Sequence, residues 1–436
     1  MLTKADPYQS DLDFARRMDR QDSLARVRDK FHIPRTAEGG EEIYLCGNSL
    51  GLQPKSAVDY ILAELDKWRC LGVKGHFESE YPWMPYHEFL AETMAELVGG
   101  EPSEVVTMNS LTANLHFMMV SFYRPTRARH KILIEEHAFP SDRYAVESQI
   151  RFHGYRPAEA LLVLEPRRGE KLIREEDIRD ILEREGESIA LVMLPGVQYY
   201  SGQVFDMAEI TRLGQQKGCV VGFDLAHAVG NIPLALHEWR VDFAVWCNYK
   251  YLNSGPGSVA GCFVHARHAG NTDLPRFSGW WGHDKSTRFE MGSRFNPIPG
   301  AEGWQLSNPP ILSLAAIRAS LDVFREAGFM APLREKSLRL TGYLEWLLIE
   351  ELDARVEIIT PRDPGRRGSQ LSLIVKGDRY SGRELFEHLE ASGVTGDWRE
   401  PNVIRVAPVP LYNSFEDCYR FVKIFKAFDR DRVSGQ

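Results

Sequence analysis

Between residues 131 and 247 the chain alternates short β-branched runs with polar segments of helical period, and few folds accept that alternation. K-I-L-I-E-E (131–136), A-L-L-V-L-E (160–165), I-A-L-V-M-L-P (189–195), C-V-V-G-F-D (219–224) and F-A-V-W-C (243–247) read as buried strands. Between them, I-R-E-E-D-I-R-D-I-L-E-R-E (173–185) and M-A-E-I-T-R-L-G-Q-Q-K-G (207–218) read as amphipathic helices, the second closed by a C-cap glycine. Strand, helix, strand in this order implies an α/β fold with a mostly parallel sheet covered on both faces. Ligands in such sheets bind beyond the carboxyl ends of the strands, so those ends are where chemistry is expected.

After N-P-P (308–310) the pattern changes to one long helix, I-L-S-L-A-A-I-R-A-S-L-D-V-F-R-E-A-G, and then to a mixed tail. Q-L-S-L-I-V-K-G (370–377) and V-I-R-V-A-P-V (403–409) read as strands, with helices near 381–391 and 415–428, which makes a smaller α+β domain. The expected division is an N-terminal arm over residues 1–75 that packs on the small domain, a large domain over 76–310 and a small domain over 311–436. A chain of 436 residues with 43% hydrophobic content can bury cores for such domains.

Charge and cysteine usage remove several function classes. A formal net charge of -8 argues against a general nucleic-acid binder, which needs clustered Lys and Arg. The first residues, M-L-T-K-A-D-P-Y-Q-S-D-L-D, are too charged for a signal peptide, and no apolar run is long enough to span a bilayer, so a cytoplasmic address is expected. Six cysteines without C-x-x-C spacing, and no H-E-x-x-H, predict neither disulfides nor a metal site.

The strand ends carry the chemistry. Asp224 ends one strand, and Lys250, in W-C-N-Y-K-Y-L-N-S-G-P-G, follows the next, so an acid and an amine face one crevice. E-V-V-T-M-N-S-L-T-A-N-L-H turns from strand to helix at Ser110 and Thr112, where unpaired backbone N–H groups and the helix dipole attract an anion such as phosphate. F-P-S-D (139–142) adds an aromatic ring and a second carboxylate at the same end of the sheet. A flat, phosphorylated, basic heterocycle, pyridoxal phosphate (PLP), uses all four.

The order of phosphate-cup turn, F-P-S-D, D-L-A-H and N-Y-K resembles the fold-type I PLP-dependent transferase-like enzymes, and within them the sequence is similar to the kynureninase family. The similarity extends over L-C-G-N-S-L-G-L-Q-P (45–54), G-V-Q-Y-Y-S-G-Q (196–203), V-G-F-D-L-A-H-A-V-G-N (221–231), G-W-W-G-H (279–283), S-N-P-P-I-L (307–312) and I-R-V-A-P-V-P-L-Y-N-S-F (404–415). The resemblance implies that Lys250 holds PLP as a Schiff base and moves the substrate's Cα proton, and that Asp224 keeps the pyridine nitrogen protonated. His227 would order that carboxylate or stack near the ring, Phe139 would lie against the cofactor, and Asp142 would touch its polar rim. Leu111 and Thr112 would bind the phosphate. Tyr249 would contact the phosphate and later donate a proton.

By the same resemblance, Trp280 and Asn308 reach into the site from a partner subunit, which implies a homodimer. Arg405 takes the α-carboxylate, a task suited to a planar guanidinium, Ser49 and His76 face the aminobenzoyl ring, and Asn308 binds cofactor and substrate. The implied reaction is hydrolysis of L-kynurenine, and of 3-hydroxy-L-kynurenine, to anthranilate (or 3-hydroxyanthranilate) and L-alanine, in tryptophan catabolism or NAD biosynthesis. One departure stands at Pro195, where some relatives carry a serine. Taken singly, Lys250 is an ordinary strand-end charge, Asp224 a cap or turn acid, and Arg405 a structural cation. Two competing readings remain. A cysteine desulfurase or class V aminotransferase would keep Lys250 and Asp224 but alter His76, Trp280 and Asn308, and a PLP-fold protein that binds without turnover would show cofactor absorbance and no product.

Overall fold

The computed structural model describes residues 8–434 apart from 353, 354 and 378. Residues 1–7 and 435–436, the outer ends of the expected arm and small domain, lie outside the described residues. The strands, in chain order, are β1 (Ile43–Tyr44), β2 (Val105–Thr107), β3 (Lys131–Glu135), β4 (Leu161–Leu164), β5 (Ile189–Pro195), β6 (Val220–Asp224), β7 (Phe243–Trp246) and β8 (Gly261–Val264). They continue with β9 (Val356–Ile358), β10 (Leu371–Val375), β11 (Val394–Thr395), β12 (Asp397–Arg399) and β13 (Val403–Val406).

The five expected strands are β3 to β7, and they pair side by side in parallel in the order β4-β3-β5-β6-β7. At the far edge β8 runs antiparallel to β7 and pairs with β2, which completes a seven-stranded sheet. Side chains alternate between two cores, because successive residues of a strand point to opposite faces. Ile132 and Ile134 enter one cluster with Met193 and Val245, whereas Leu133 enters the other with Val192 and Phe223. Both faces are therefore buried, which is why the strands read as near-continuous apolar runs. Gly222, two residues before Asp224, is the exception in β6. A Cβ there would collide with the Phe243 ring, so the small residue lets β6 and β7 close up behind the site.

A second, four-stranded antiparallel sheet has the order β12-β13-β10-β9. Leu371, Leu373, Ile404 and Val406 point from it into a separate core with the helices Met330–Leu352 and Phe415–Ser434. The alternate residues face the large domain, where Ser372 Oγ donates to the carbonyl of Tyr200 at 2.6 Å and Arg405 Nη1 to that of Tyr199 at 2.8 Å. The helix Ile311–Glu326, which opens the expected small domain, packs its buried side chains into the larger core and against the helix Ala57–Leu71. From Leu340 onward the next helix feeds the smaller core. The N-terminal helix Leu12–Arg20, capped by Asp11, packs on Phe415–Ser434.

Candidate active site

A cavity opens at the carboxyl ends of β3, β5 and β6, where the parallel sheet predicts it. Its floor is acidic, with Glu135 ending β3, Asp224 ending β6, and Asp142 on the first turn of the helix Pro140–Phe152. All three carboxyls are withdrawn from water. Burial and the Asp224 charge push Asp142 well above the usual carboxylate range, and its Oδ1 has no hydrogen-bond partner. Burial, with a smaller push from Asp224, raises Glu135 to about 8. Asp224 is anchored by the backbone N–H of Ala226, which donates to Oδ1 at 2.6 Å.

Lys250 enters the same cavity from the turn after β7. Its Nζ lies 2.9 Å from His227 Nε2 and 5.8 Å from the centre of the Phe139 ring. Burial first, and the nearby cations Lys250, Arg405 and Arg399 next, hold the His227 imidazole well below its ordinary pKa, so it is neutral and its Nε2 accepts from the lysine. Tyr249 also lines the cavity, and burial raises its hydroxyl, which stays protonated across neutral pH.

Two helix N-termini also meet at this cavity. Thr112, in the first turn of the helix Leu111–Phe122, places its Oγ1 2.8 Å from Ser141 Oγ, in the first turn of Pro140–Phe152. Neither helix has a side-chain cap, so the first N–H groups of Leu111–Phe122, the N–H of Ser141 and the linked Thr112–Ser141 hydroxyls suit an anion. The cavity thus combines donors suited to a phosphate-like group with carboxyls suited to a cationic ring nitrogen.

Of the residues singled out in the sequence, the fold brings Leu111, Thr112, Phe139, Asp142, Asp224, His227, Tyr249 and Lys250 into this one cavity. Trp280 stands elsewhere, in a second cavity with Arg288 and Met291, and is 42% exposed, with Nε1 donating to the Arg288 carbonyl at 3.3 Å. Asn308 is exposed in the loop before the helix Ile311–Glu326, and Ser49 and His76 also lie outside the cavity of their own chain, His76 packing edge-on against Trp83. Arg405 is buried just behind the wall, over the ring of Tyr199. Sequence reasoning gave no role to Glu135, Ser141 or Tyr199, all of which line the cavity. A signal existed for the first, since Glu135 ends its strand as Asp224 does.

Comparison with known proteins agrees with this geometry. Residues 333–425 match the family description "Kynureninase C-terminal domain". A kynureninase of Koribacter versatilis is 60% identical over 95% of this chain and 97% of its own length. A kynureninase of Myxococcus xanthus is 57% identical over 96% of this chain and 97% of its own. Among solved structures, the apo cysteine desulfurase from Thermococcus onnurineus NA1 superposes with a TM-score of 0.74 at 17% identity, covering 93% of this chain and 98% of its own. The cysteine desulfurase CsdA from Escherichia coli gives 0.73 at 16% identity, covering 94% and 98%. These structural likenesses establish the fold-type I architecture, while the full-length identity to the two bacterial relatives decides the family: this chain belongs to the kynureninases.

Proposed function

We infer that this chain uses PLP to hydrolyse L-kynurenine to anthranilate and L-alanine. The observation that carries the reading is the meeting of Lys250, Asp224 and two uncapped helix N-termini in one cavity of a chain 60% identical to a kynureninase along nearly its whole length. The residues present fit PLP on their own chemistry. Three carboxyls withdrawn from water, one with an unpartnered oxygen, are unfavourable together unless a cation such as a protonated pyridine joins them, and the hydroxyls and N–H groups of the two helix starts suit its phosphate. Bound there, PLP supplies an aldehyde that links to amines and a ring that takes up the electron pair released at the substrate's Cα.

The protein's own groups do the rest. Lys250 would hold the cofactor through its amine and, with that amine free, would move the substrate's Cα proton. His227, neutral and accepting from Nζ, holds that amine in place. Asp224 keeps the ring nitrogen protonated. Water adds at the γ-carbonyl, the Cβ–Cγ bond breaks, and Tyr249, kept protonated by its burial, donates to the carbon that becomes the alanine methyl. Phe139 would lie against the cofactor, Leu111 and Thr112 would hold its phosphate, and Asp142 would meet its polar rim.

In this reading residues 76–310 carry the cofactor, residues 311–436 bring Arg405 to the substrate's α-carboxylate, and residues 1–75 bring Ser49. Ser49 and His76 face the aminobenzoyl ring. Trp280 and Asn308 stand away from their own cavity because they complete that of a second copy, so the functional unit is a homodimer, with the exposed Trp280, Phe289 and Met291 covered in it. Six free cysteines, five of them buried, suit a reducing cytoplasm. The enzyme there serves tryptophan catabolism and, through the 3-hydroxy substrate, NAD biosynthesis.

The test is to mix PLP-loaded protein with L-kynurenine and follow anthranilate fluorescence, with Lys250→Ala alongside. Product from the wild type and none from the variant is the expected result. A wild type that shows the cofactor's absorbance band yet forms no anthranilate overturns the assignment.

A further inference from the structure

Three charged side chains meet where β12 and β13 pair. Asp397 and Arg399 are two residues apart on β12 and so share a face, and Asp397 stands directly opposite Arg405 in the antiparallel register. Asp397 binds both guanidiniums. Its Oδ1 accepts from Arg405 Nε at 3.1 Å and its Oδ2 from Arg399 Nη2 at 3.0 Å. Arg405 Nη2 and Arg399 Nε each lie 2.8 Å from an Asp397 oxygen, but out of line, and both are buried without a hydrogen-bond partner.

The charge arithmetic matters. Arg405 with Asp397 alone is a neutral pair, a poor receiver for an anion. Arg399 makes the trio two guanidiniums to one carboxylate, a net charge of plus one. The trio adjoins the active cavity through Tyr199. Arg405 Nη1 donates to the Tyr199 carbonyl at 2.8 Å, and the Tyr199 ring lines the cavity 5.3 Å from Phe139. Burial raises the Tyr199 hydroxyl, and Arg399 and then Arg405 are the charges that most oppose it, so both cations act at the cavity wall.

We propose that Asp397 is the positioning residue and Arg399 a specificity-determining residue for the substrate's α-carboxylate: Asp397 fixes the plane of Arg405, and Arg399 restores the positive charge that Asp397 cancels. The proposal rests on Arg405 receiving that carboxylate, as the function above requires. A lone Arg405–Asp397 pair explains a buried strand cation, but it leaves no reason for a second arginine, with a side chain only 34% exposed, to converge on the same acid.

The test uses the PLP-loaded enzyme and two ligands, L-kynurenine and the amine that lacks only its carboxylate. Binding is read from the shift of the cofactor absorption band, and turnover from anthranilate. Arg399→Gln is expected to weaken L-kynurenine binding and raise KM about tenfold, with kcat down less than about threefold and the amine's affinity unchanged. Arg399→Lys recovers most of the loss. Asp397→Asn keeps L-kynurenine binding but lowers kcat about tenfold, because Arg405 loses its aim. L-kynurenine affinity unaltered by Arg399→Gln, or equal losses for both ligands, overturns the proposal. A wild type that binds L-kynurenine without forming anthranilate counts against the reaction instead, while the two-ligand comparison still decides the role of Arg399.

Discussion

Glu135 offers a prediction whose size follows from its environment. Its carboxyl ends β3, the residue is only 4% exposed, and burial raises it from an ordinary value of 4.5 to about 8 in the protein without cofactor. A group that binds its proton more tightly folded than unfolded stabilises the fold fully below the unfolded pKa, and that stability is lost as pH rises through the folded pKa. The window therefore runs from about pH 4.5 to about pH 8. Within it, each pH unit costs about 1.4 kcal/mol, so moving from about pH 5.5 to about pH 7.5 should cost the apo-protein about 3 kcal/mol through this residue. Glu135→Gln keeps the shape of the protonated acid and cannot ionise. Urea denaturation of both apo-proteins at the two pH values should show the variant gaining on the wild type by about that amount at the higher pH. Parallel pH dependence of the two proteins would refute the argument, because Glu135 would then ionise equally in the folded and unfolded chain.

Three further outcomes are expected. Asp224→Asn removes the charge that keeps the ring nitrogen protonated and should lower kcat by at least about a hundredfold, with an altered cofactor spectrum; activity within tenfold of wild type contradicts its role. At Gly51, whose N–H donates to the Tyr249 carbonyl at 2.8 Å, a Cβ would meet the Lys250 carbonyl and Asn253, with the Asn253 Cα at 2.8 Å. Gly51→Ala should therefore cost about 1–3 kcal/mol in denaturation and weaken PLP binding measured by fluorescence titration. Lys336, only 4% exposed, pairs with the equally buried Asp22 at 2.7 Å, so Lys336→Met should cost about 3–5 kcal/mol, and adding Asp22→Asn should recover much of it.

Local periodicity was enough to locate β3 to β7, because strands buried on both faces need continuous apolar side chains whatever the rest of the chain does. The strand-end rule then led from those runs to Asp224 and Lys250, and the helix start at Ser110 led to the anion wall. These are properties of neighbouring residues. Glu135 obeyed the same rule, but its importance lies in its desolvation, and that is produced by side chains from β5, β6 and the loop around Gln198 closing over it.

Arg405 shows the other limit. Its sequence context marks an arginine on a strand, and the register sets it opposite Asp397 only eight residues away, but the fold that presses it on Tyr199 joins segments about 200 residues apart. Trp280, Asn308, Ser49 and His76 carry the family pattern and still stand outside the cavity of a single chain. The sequence by itself thus determined the sheet and the residues at its carboxyl end, since both depend on local periodicity. Only the tertiary structure decided which carboxyls lose their water, which wall Arg405 is pressed against, and which side chains are left for another surface, because burial depends on what distant segments bring to the same place.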